Sequence, residues 1–205
     1  MKINEIFYSL EGEGAWQGYP TIFIRLSGCN LDCDWCDTEH QKFQEMEYNQ
    51  IMEELKKYPC NRVKVTGGEP LIHEKTNFLI GLLKDWGYDV ALETNGTIFN
   101  SNIFNKVDLI CMDIKPPSSK MESQFDVINR THKRYGNKTE FKIVISDLLD
   151  LNFAESYVLL NGDVVLMPNS KIRKVSQKKR LMEAIMYKFP DARYGLRLHE
   201  VLDIK

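Results

Sequence analysis

Three cysteines fall within eight residues, Cys29-Asn-Leu-Asp-Cys33-Asp-Trp-Cys36, directly after the apolar run 21–26. Such density on a loop suits thiolates gathered around one metal centre. The C-x3-C-x2-C spacing matches neither a zinc C-x2-C pair with a distant partner pair nor the haem-attachment signature. An iron–sulfur cube normally takes four cysteine thiolates, so three local ones would leave one iron to a non-protein ligand. A zinc ion, or cysteines buried for unrelated reasons, fit the spacing as well.

Other stretches carry chemistry of their own. Gly67-Gly68 leaves no side chain between Thr66 and Glu69, so a ligand can approach the backbone closely; a tight turn before Pro70 would use the same residues. Arg25 sits mid-run between Ile24 and Leu26, and its planar fork suits a carboxylate; a ligand's carboxylate or a salt bridge to Glu11 or Glu13 would serve. Alternation puts Asp113 and Lys115 on one face with Leu109 and Cys111, either as a structural ion pair or as a pair aimed at a ligand. Thr38 alone reads as a turn residue or helix cap, although a hydroxyl oxygen is acceptable to hard Mg²⁺. The four histidines (40, 73, 132 and 199) occur singly and carry no catalytic expectation.

The elements that must position these residues alternate between strand-like and helical runs. Strands are expected over 21–26, 62–66, 90–94, 109–114, 139–145 and 164–167, with a possible edge strand over 194–198. Helices are expected over 49–58 with Asn49 as cap, over 76–86 with Phe78, Leu79, Leu82, Leu83 and Trp86 at helical spacing, and after Ser119, where Glu122 completes a capping-box pattern. A last helix follows Ser176, with Leu181, Met182, Ile185 and Phe189 inward. Repeated strand–helix units imply a parallel sheet with right-handed crossovers, and six are too few for a closed eight-stranded barrel. The cysteine loop, 66–70, 93–96, 113–118 and 167–170 all fall at strand carboxyl ends, the edge where parallel α/β folds bind ligands.

The cysteine triplet resembles the signature of the radical S-adenosylmethionine superfamily. The flanking text, Phe7-Tyr-Ser-Leu-Glu-Gly-Glu-Gly14, Phe23-Ile-Arg25-Leu and Cys36-Asp-Thr38, resembles the 7-carboxy-7-deazaguanine synthase family. The resemblance implies an α/β fold, a partial, open (β/α)6-type TIM-like barrel of mostly parallel strands, in a single domain over 1–205. It implies a [4Fe–4S] cluster on Cys29, Cys33 and Cys36, S-adenosylmethionine on the fourth iron, and Mg²⁺ on Thr38 with Asp37 beside it. Further cofactor contacts are implied at Gly68, Glu69, Glu93, Asp113, Ile114, Lys115, Met167, Pro168, Asn169 and Ser170, and substrate contacts at Leu10, Glu11, Gly12, Arg25, Thr66 and the Lys205 terminus. Two positions depart from the family pattern: Glu11 and Met167 stand where glutamine is usual. The implied reaction is a radical ring contraction of 6-carboxy-5,6,7,8-tetrahydropterin to 7-carboxy-7-deazaguanine and ammonia, on the route to queuosine and related 7-deazapurines. A glycyl-radical activase shares the triplet but would leave Arg25 and 10–14 without a purpose; a non-enzymatic zinc or iron–sulfur module would need the cysteines alone.

At 205 residues, 43% hydrophobic and 27% charged, the chain has the composition of one ordinary globular domain. A formal charge of −2 argues against a nucleic-acid partner. Basic residues gather at 171–179 and at Lys133/Arg134, which reads first as solvated surface. With no apolar leader and no run long enough to span a bilayer, a cytoplasmic protein away from membranes is expected. There, cysteines serve metal binding or burial more often than disulfides, and Cys60 and Cys111 read as small core residues. The resemblance adds a homodimer and a flavodoxin- or ferredoxin-type electron donor as expected partners.

Overall fold

The computed structural model describes residues 1–158 and 163–204. The chain opens with β1 (Lys2–Leu10), which pairs antiparallel with β2 (Pro20–Leu26) as a hairpin; a short β3 (Gln44–Glu45) pairs antiparallel with the outer edge of β1. From β2 onward the pairing is parallel: β4 (Arg62–Gly67), β5 (Asp89–Thr94), β6 (Leu109–Ile114), β7 (Thr139–Ile145), β8 (Asp163–Pro168) and a two-residue β9 (Arg193–Tyr194). Among the described residues these form one sheet, ordered β3-β1-β2-β4-β5-β6-β7-β8-β9. The order never returns to β2, so the sheet is an open, partial barrel of mostly parallel strands.

Helices α1 (Tyr48–Leu55), α2 (Thr76–Asp85), α3 (Ser101–Phe104), α4 (Phe125–Tyr135), α5 (Leu148–Val158) and α6 (Val175–Lys188) fill the connections. Period-two alternation then divides each strand. One face, carrying Ile22, Ile24, Val63, Val65, Leu92, Ile110, Met112, Phe141 and Ile143, packs with Ile51, Leu55, Leu79, Leu83, Ile128 and Ile185 of the helices in one apolar cluster. The other face carries Arg25, Lys64, Thr66, Glu93, Cys111, Asp113 and Lys142, and faces inward. The apolar side holds the fold together; the charged side forms the site.

The six expected parallel strands are present with ends moved by at most one residue. Two strands are missing from the sequence expectation: β1, whose residues are mostly half-buried and lack a clean alternation, and the two-residue, exposed β3. Several local expectations are corrected. Ser119 caps no helix: Pro116 and Pro117 begin a 3-10 turn, the Ser119 hydroxyl donates to the Pro116 carbonyl at 2.6 Å, and α4 starts at Phe125. Glu47 caps α1 in a reciprocal pair with Gln50, displacing Asn49. Helix α6 starts at Val175, ahead of Ser176. On α2, Phe78 and Trp86 are exposed, resting against Tyr48 and under Lys56, while Leu79, Ile80 and Leu83 are buried. The edge strand is Arg193–Tyr194 alone; the chain then turns into α7 (Leu198–Leu202).

Candidate active site

At the carboxyl ends of the parallel strands lies a cavity of about 730 Å³, within the range of small-molecule sites. Cys29, Cys33 and Cys36 all line it, and their thiols are free. Their loop is fastened on two sides. The Asp34 amide donates to the Ser119 carbonyl at 3.2 Å, and the Trp35 indole donates to Ser118 Oγ at 3.2 Å. Gly28 N donates to the His40 carbonyl at 2.8 Å, and Asn95 Nδ2 donates to Asn30 Oδ1 at 2.9 Å. Among the described residues no three His, Cys, Asp or Glu side chains converge tightly enough for one metal ion. Thiols that each hold a different iron of a cluster need no such convergence.

Two glycines bring the backbone of β4 against this loop. Gly67 holds φ +149°, a region side chains disfavour. A Cβ on Gly68 would collide with the Gly28 carbonyl and approach Cys29 Cβ at 2.8 Å. The neighbouring Glu69 is fully buried and does not line the cavity: Leu71 N and Thr94 Oγ1 donate to its Oε1 at 2.9 Å each, and Asn95 N donates to its Oε2 at 2.6 Å. Burial lifts its carboxyl to about 7 against these donors and the charge of Lys115.

The inner face carries a chain of alternating charges. Lys64 pairs with Glu11 at 2.6 Å and with Glu93 at 3.6 Å. Lys142 pairs with Glu93 at 2.6 Å, Glu13 at 2.7 Å and Asp113 at 3.3 Å, and Lys115 pairs with Asp113 at 2.7 Å. Burial disfavours the charges of Lys64, Lys115, Lys142, Glu93 and Asp113, yet the attraction of their partners outweighs it. Lys64 and Lys142 are held well above the ordinary lysine range, Glu93 well below the carboxylate range, and Asp113 below it. Cys111 lies beside this chain as a thiol that burial keeps protonated. Lys115 also lies 5.3 Å from the centre of the Trp35 ring, joining the network to the cysteine loop.

Arg25 enters from β2. Its Nε pairs with Glu5 at 2.9 Å, and its Nη1 donates to Thr38 Oγ1 at 3.4 Å. Neither Glu11 nor Glu13 is its partner: Glu11 pairs with Lys64, while Glu13 pairs with Lys142 and with Arg197 at 3.0 Å. The Glu11 carboxylate therefore neutralises a buried lysine. The mouth is crossed by the C-terminal segment. Leu198 N donates to the Gly12 carbonyl at 2.8 Å, Arg197 Nη1 pairs with Asp37 at 2.9 Å, and the His199 ring fills the space beside the Gly12 Cα.

Of the residues expected from sequence, the cavity brings together Cys29, Cys33, Cys36, Asp37, Thr38, Gly68, Glu93, Asp113, Lys115, Leu10, Glu11, Gly12, Arg25 and Thr66. Glu69 lies behind it. The Ile114 side chain belongs to the apolar cluster between sheet and helices. Met167, Pro168 and Asn169 are buried and Ser170 is half-buried, all outside the cavity lining. Asn169 still reaches the cysteine loop indirectly, donating to Ser146 Oγ, which donates to Ser118 Oγ, the acceptor of Trp35. Lys205 lies outside the described residues. Sequence reasoning missed Glu5, Glu13, Lys64, Asn95, Lys142, Arg197 and His199. The two lysines carried a usable signal, a cation inside an apolar strand, which is the feature that singled out Arg25.

Comparison with known proteins agrees with this geometry. The family model of the Radical SAM superfamily matches residues 23–154. The 7-carboxy-7-deazaguanine synthase of Thermoplasma acidophilum is 37% identical over 187 residues, covering 87% of this chain and 88% of that protein. The enzyme of the same name from Aquifex aeolicus is 30% identical over 210 residues, covering 99% and 94%. Among solved structures, QueE from Escherichia coli superposes with a TM-score of 0.69 at 24% identity, covering 95% of this chain and 92% of that one.

Proposed function

This chain belongs to the Radical SAM superfamily and, within it, to the 7-carboxy-7-deazaguanine synthases, and from that premise we propose that it is the single-domain enzyme that converts 6-carboxy-5,6,7,8-tetrahydropterin to 7-carboxy-7-deazaguanine and ammonia, supplying queuosine and related 7-deazapurines. The observation that carries this reading is one cavity shared by three free thiols, a side-chain-free backbone at Gly68, and Arg25 beside Thr38.

The donor set fits the cofactors. Three cysteine thiols line the cavity, and Gly68, free of a side chain, lets the β4 backbone pack directly against Gly28 and Cys29 of their loop. Cys29, Cys33 and Cys36 would hold the [4Fe–4S] cluster, whose fourth iron takes S-adenosylmethionine. With S-adenosylmethionine bound, the reduced cluster would supply the one-electron chemistry by which a hydrogen atom is taken from the substrate. Gly68, Asp37, Glu93, Asp113 and Lys115 would orient the cofactor. Glu69 would act through the turn it fixes, Ile114 through its backbone, and Met167, Pro168, Asn169 and Ser170 along the adenosine side.

On the substrate side, Arg25 would bind the pterin carboxylate, with Thr66, Leu10, Glu11 and Gly12 along the ring edge and the Lys205 carboxylate as a further contact. Thr38 would hold Mg²⁺, its hydroxyl being a hard oxygen donor 3.3 Å from Asp37 Oδ1. The C-terminal segment, held to Gly12, Glu13 and Asp37, would shield that side of the cavity from water. A homodimer, a cytoplasmic location and a flavodoxin- or ferredoxin-type donor complete the proposal; among the described residues no helix is long and apolar enough to cross a membrane.

The test is anaerobic reconstitution with iron and sulfide, followed by incubation with reductant, S-adenosylmethionine and the carboxypterin, with and without Mg²⁺. Formation of the deazaguanine, faster with Mg²⁺, is expected. Cofactor cleavage without that product would favour a glycyl-radical activase, and a colourless protein holding one zinc would favour a non-enzymatic module.

A further inference from the structure

Lys64 is a cation in the middle of β4, between Val63 and Val65, and it does not line the cavity. Its partner Glu11 does. The two side chains are 4% exposed each and meet at 2.6 Å, and Glu93 is a second partner of the lysine at 3.6 Å. A buried ion pair is a weak source of stability beside apolar side chains of the same volume. Stability thus gives no reason for a lysine behind the cavity wall in place of another valine.

Glu11 is fixed along its whole length. Its amide donates to the Tyr19 carbonyl at 2.9 Å, and its own carbonyl accepts from Gly18 N at 2.8 Å. At the carboxylate, Oε2 meets Lys64 Nζ at 2.6 Å and Oε1 accepts from Glu13 N at 3.1 Å. Both of these neighbours can only donate. An amide side chain has one oxygen and would turn its NH₂ toward one of them, whereas a carboxylate accepts at both ends. Lys64 and the Glu13 amide together therefore demand an acceptor-only group. Its unused lone pairs, on a residue that lines the cavity, are acceptors as well.

We propose that Lys64 is a positioning residue for substrate choice, a proposal that rests on the pterin reading above: by fixing Glu11 as an acceptor-only wall, it selects a 2-amino-4-oxopyrimidine edge over an edge with a carbonyl in place of the amino group. An amino group arriving there donates to the Glu11 carboxylate in a charge-assisted hydrogen bond. A carbonyl in the same place sets oxygen against oxygen and leaves both groups unpaired, which is how buried polar sites reject analogues most strongly. Lys64 itself touches no ligand and acts through Glu11.

The test is an anaerobic titration of the reconstituted protein, with S-adenosylmethionine bound, by 6-carboxypterin and by 6-carboxylumazine, which carries a carbonyl where the pterin has its amino group. The parent should bind the pterin at least about tenfold tighter. In Glu11→Gln the charged Lys64 claims the amide oxygen and the NH₂ turns away from it, so the preference should fall about tenfold, to parity or below. In Glu11→Gln/Lys64→Met the amide is free to turn, its oxygen accepting from Glu13 N, and the preference for the pterin should return. A lysine that only supported the fold would shift both affinities alike and leave their ratio unchanged. A parent that binds the two rings equally would overturn the proposal whether or not either variant folds. Equal ratios in the parent and Glu11→Gln, or in the single and double variants, would overturn it too. Selective binding of the pterin without formation of the deazaguanine would count against the proposed function alone. Formation of the deazaguanine with equal binding of both rings would count against the roles of Lys64 and Glu11 alone.

Discussion

Arg25 Nη1 lies 3.4 Å from the Thr38 hydroxyl, while its Nε is paired with Glu5 at 2.9 Å. The guanidinium is thus aimed by one carboxylate and leaves its remaining donors over the position proposed for Mg²⁺. An anionic group arriving there would meet the planar fork and the metal together, which suits a substrate carboxylate.

Replacing Arg25 by alanine should therefore weaken substrate binding. A charge-assisted hydrogen bond contributes about 1.5–3 kcal/mol, so KM should rise roughly ten- to hundredfold while kcat changes less. Iron and sulfide content should equal the parent's, because no cysteine partner is removed. Loss of iron in the variant would show that Arg25 supports the loop rather than the ligand.

Lys142 is surrounded by Glu13, Glu93 and Asp113, all within 3.3 Å. Lys142→Met would remove the shared cation and leave Glu13, Glu93 and Asp113, in a mostly buried setting, with Arg197, Lys64 and Lys115 respectively as their remaining cations. Breaking such a pair costs about 3–5 kcal/mol, which in a domain of this size lowers the melting temperature by roughly 6–20 °C. A thermal melt followed by circular dichroism measures this; a shift under about 2 °C would mean that water or Lys115 replaces the lost charge.

Gly68→Ala places a methyl group against the Gly28 carbonyl and Cys29 Cβ. The cysteine loop must then move. The variant should fold but bind less than about half the parent's iron, because displacing one thiol opens the cluster to hydrolysis. Cys60→Ala, whose sulfur lies 3.0 Å from the Pro20 carbonyl, should keep its full complement. Equal iron in both variants would place the glycine's role elsewhere.

Glu69 should make stability fall as pH rises. Burial lifts its carboxyl from an ordinary 4.5 to about 7 in the fold. The native state therefore holds a proton that the unfolded chain releases, so the contribution is complete below pH 4.5 and is lost as pH rises through 7. The shift corresponds to at most about 3 kcal/mol. Urea titrations from pH 4.5 to 8 should show the slope, and Glu69→Gln should flatten it whatever its absolute cost. An unchanged slope in the variant would assign it to other groups.

The sequence by itself determined the spacing of the cysteine triplet, the six parallel strands and the edge at which their ends collect. It could do so because these are local properties: thiols three and four residues apart share one loop, and apolar runs between helical patterns leave few alternatives to a parallel sheet. The hairpin strand 2–10 escaped because its half-exposed residues show neither period clearly. What only the tertiary structure decided is which charge meets which. Alternation shows that Arg25, Lys64 and Lys142 face inward, but Lys142 and Glu13 stand 129 residues apart, and the curl of the sheet alone brings them to 2.7 Å. The same closure gave Arg25 to Glu5, gave Glu11 to Lys64, left Glu69 out of the cavity lining and laid Arg197 across its mouth. Pairings of that kind follow from where the strands end in space, which no local pattern of residues encodes.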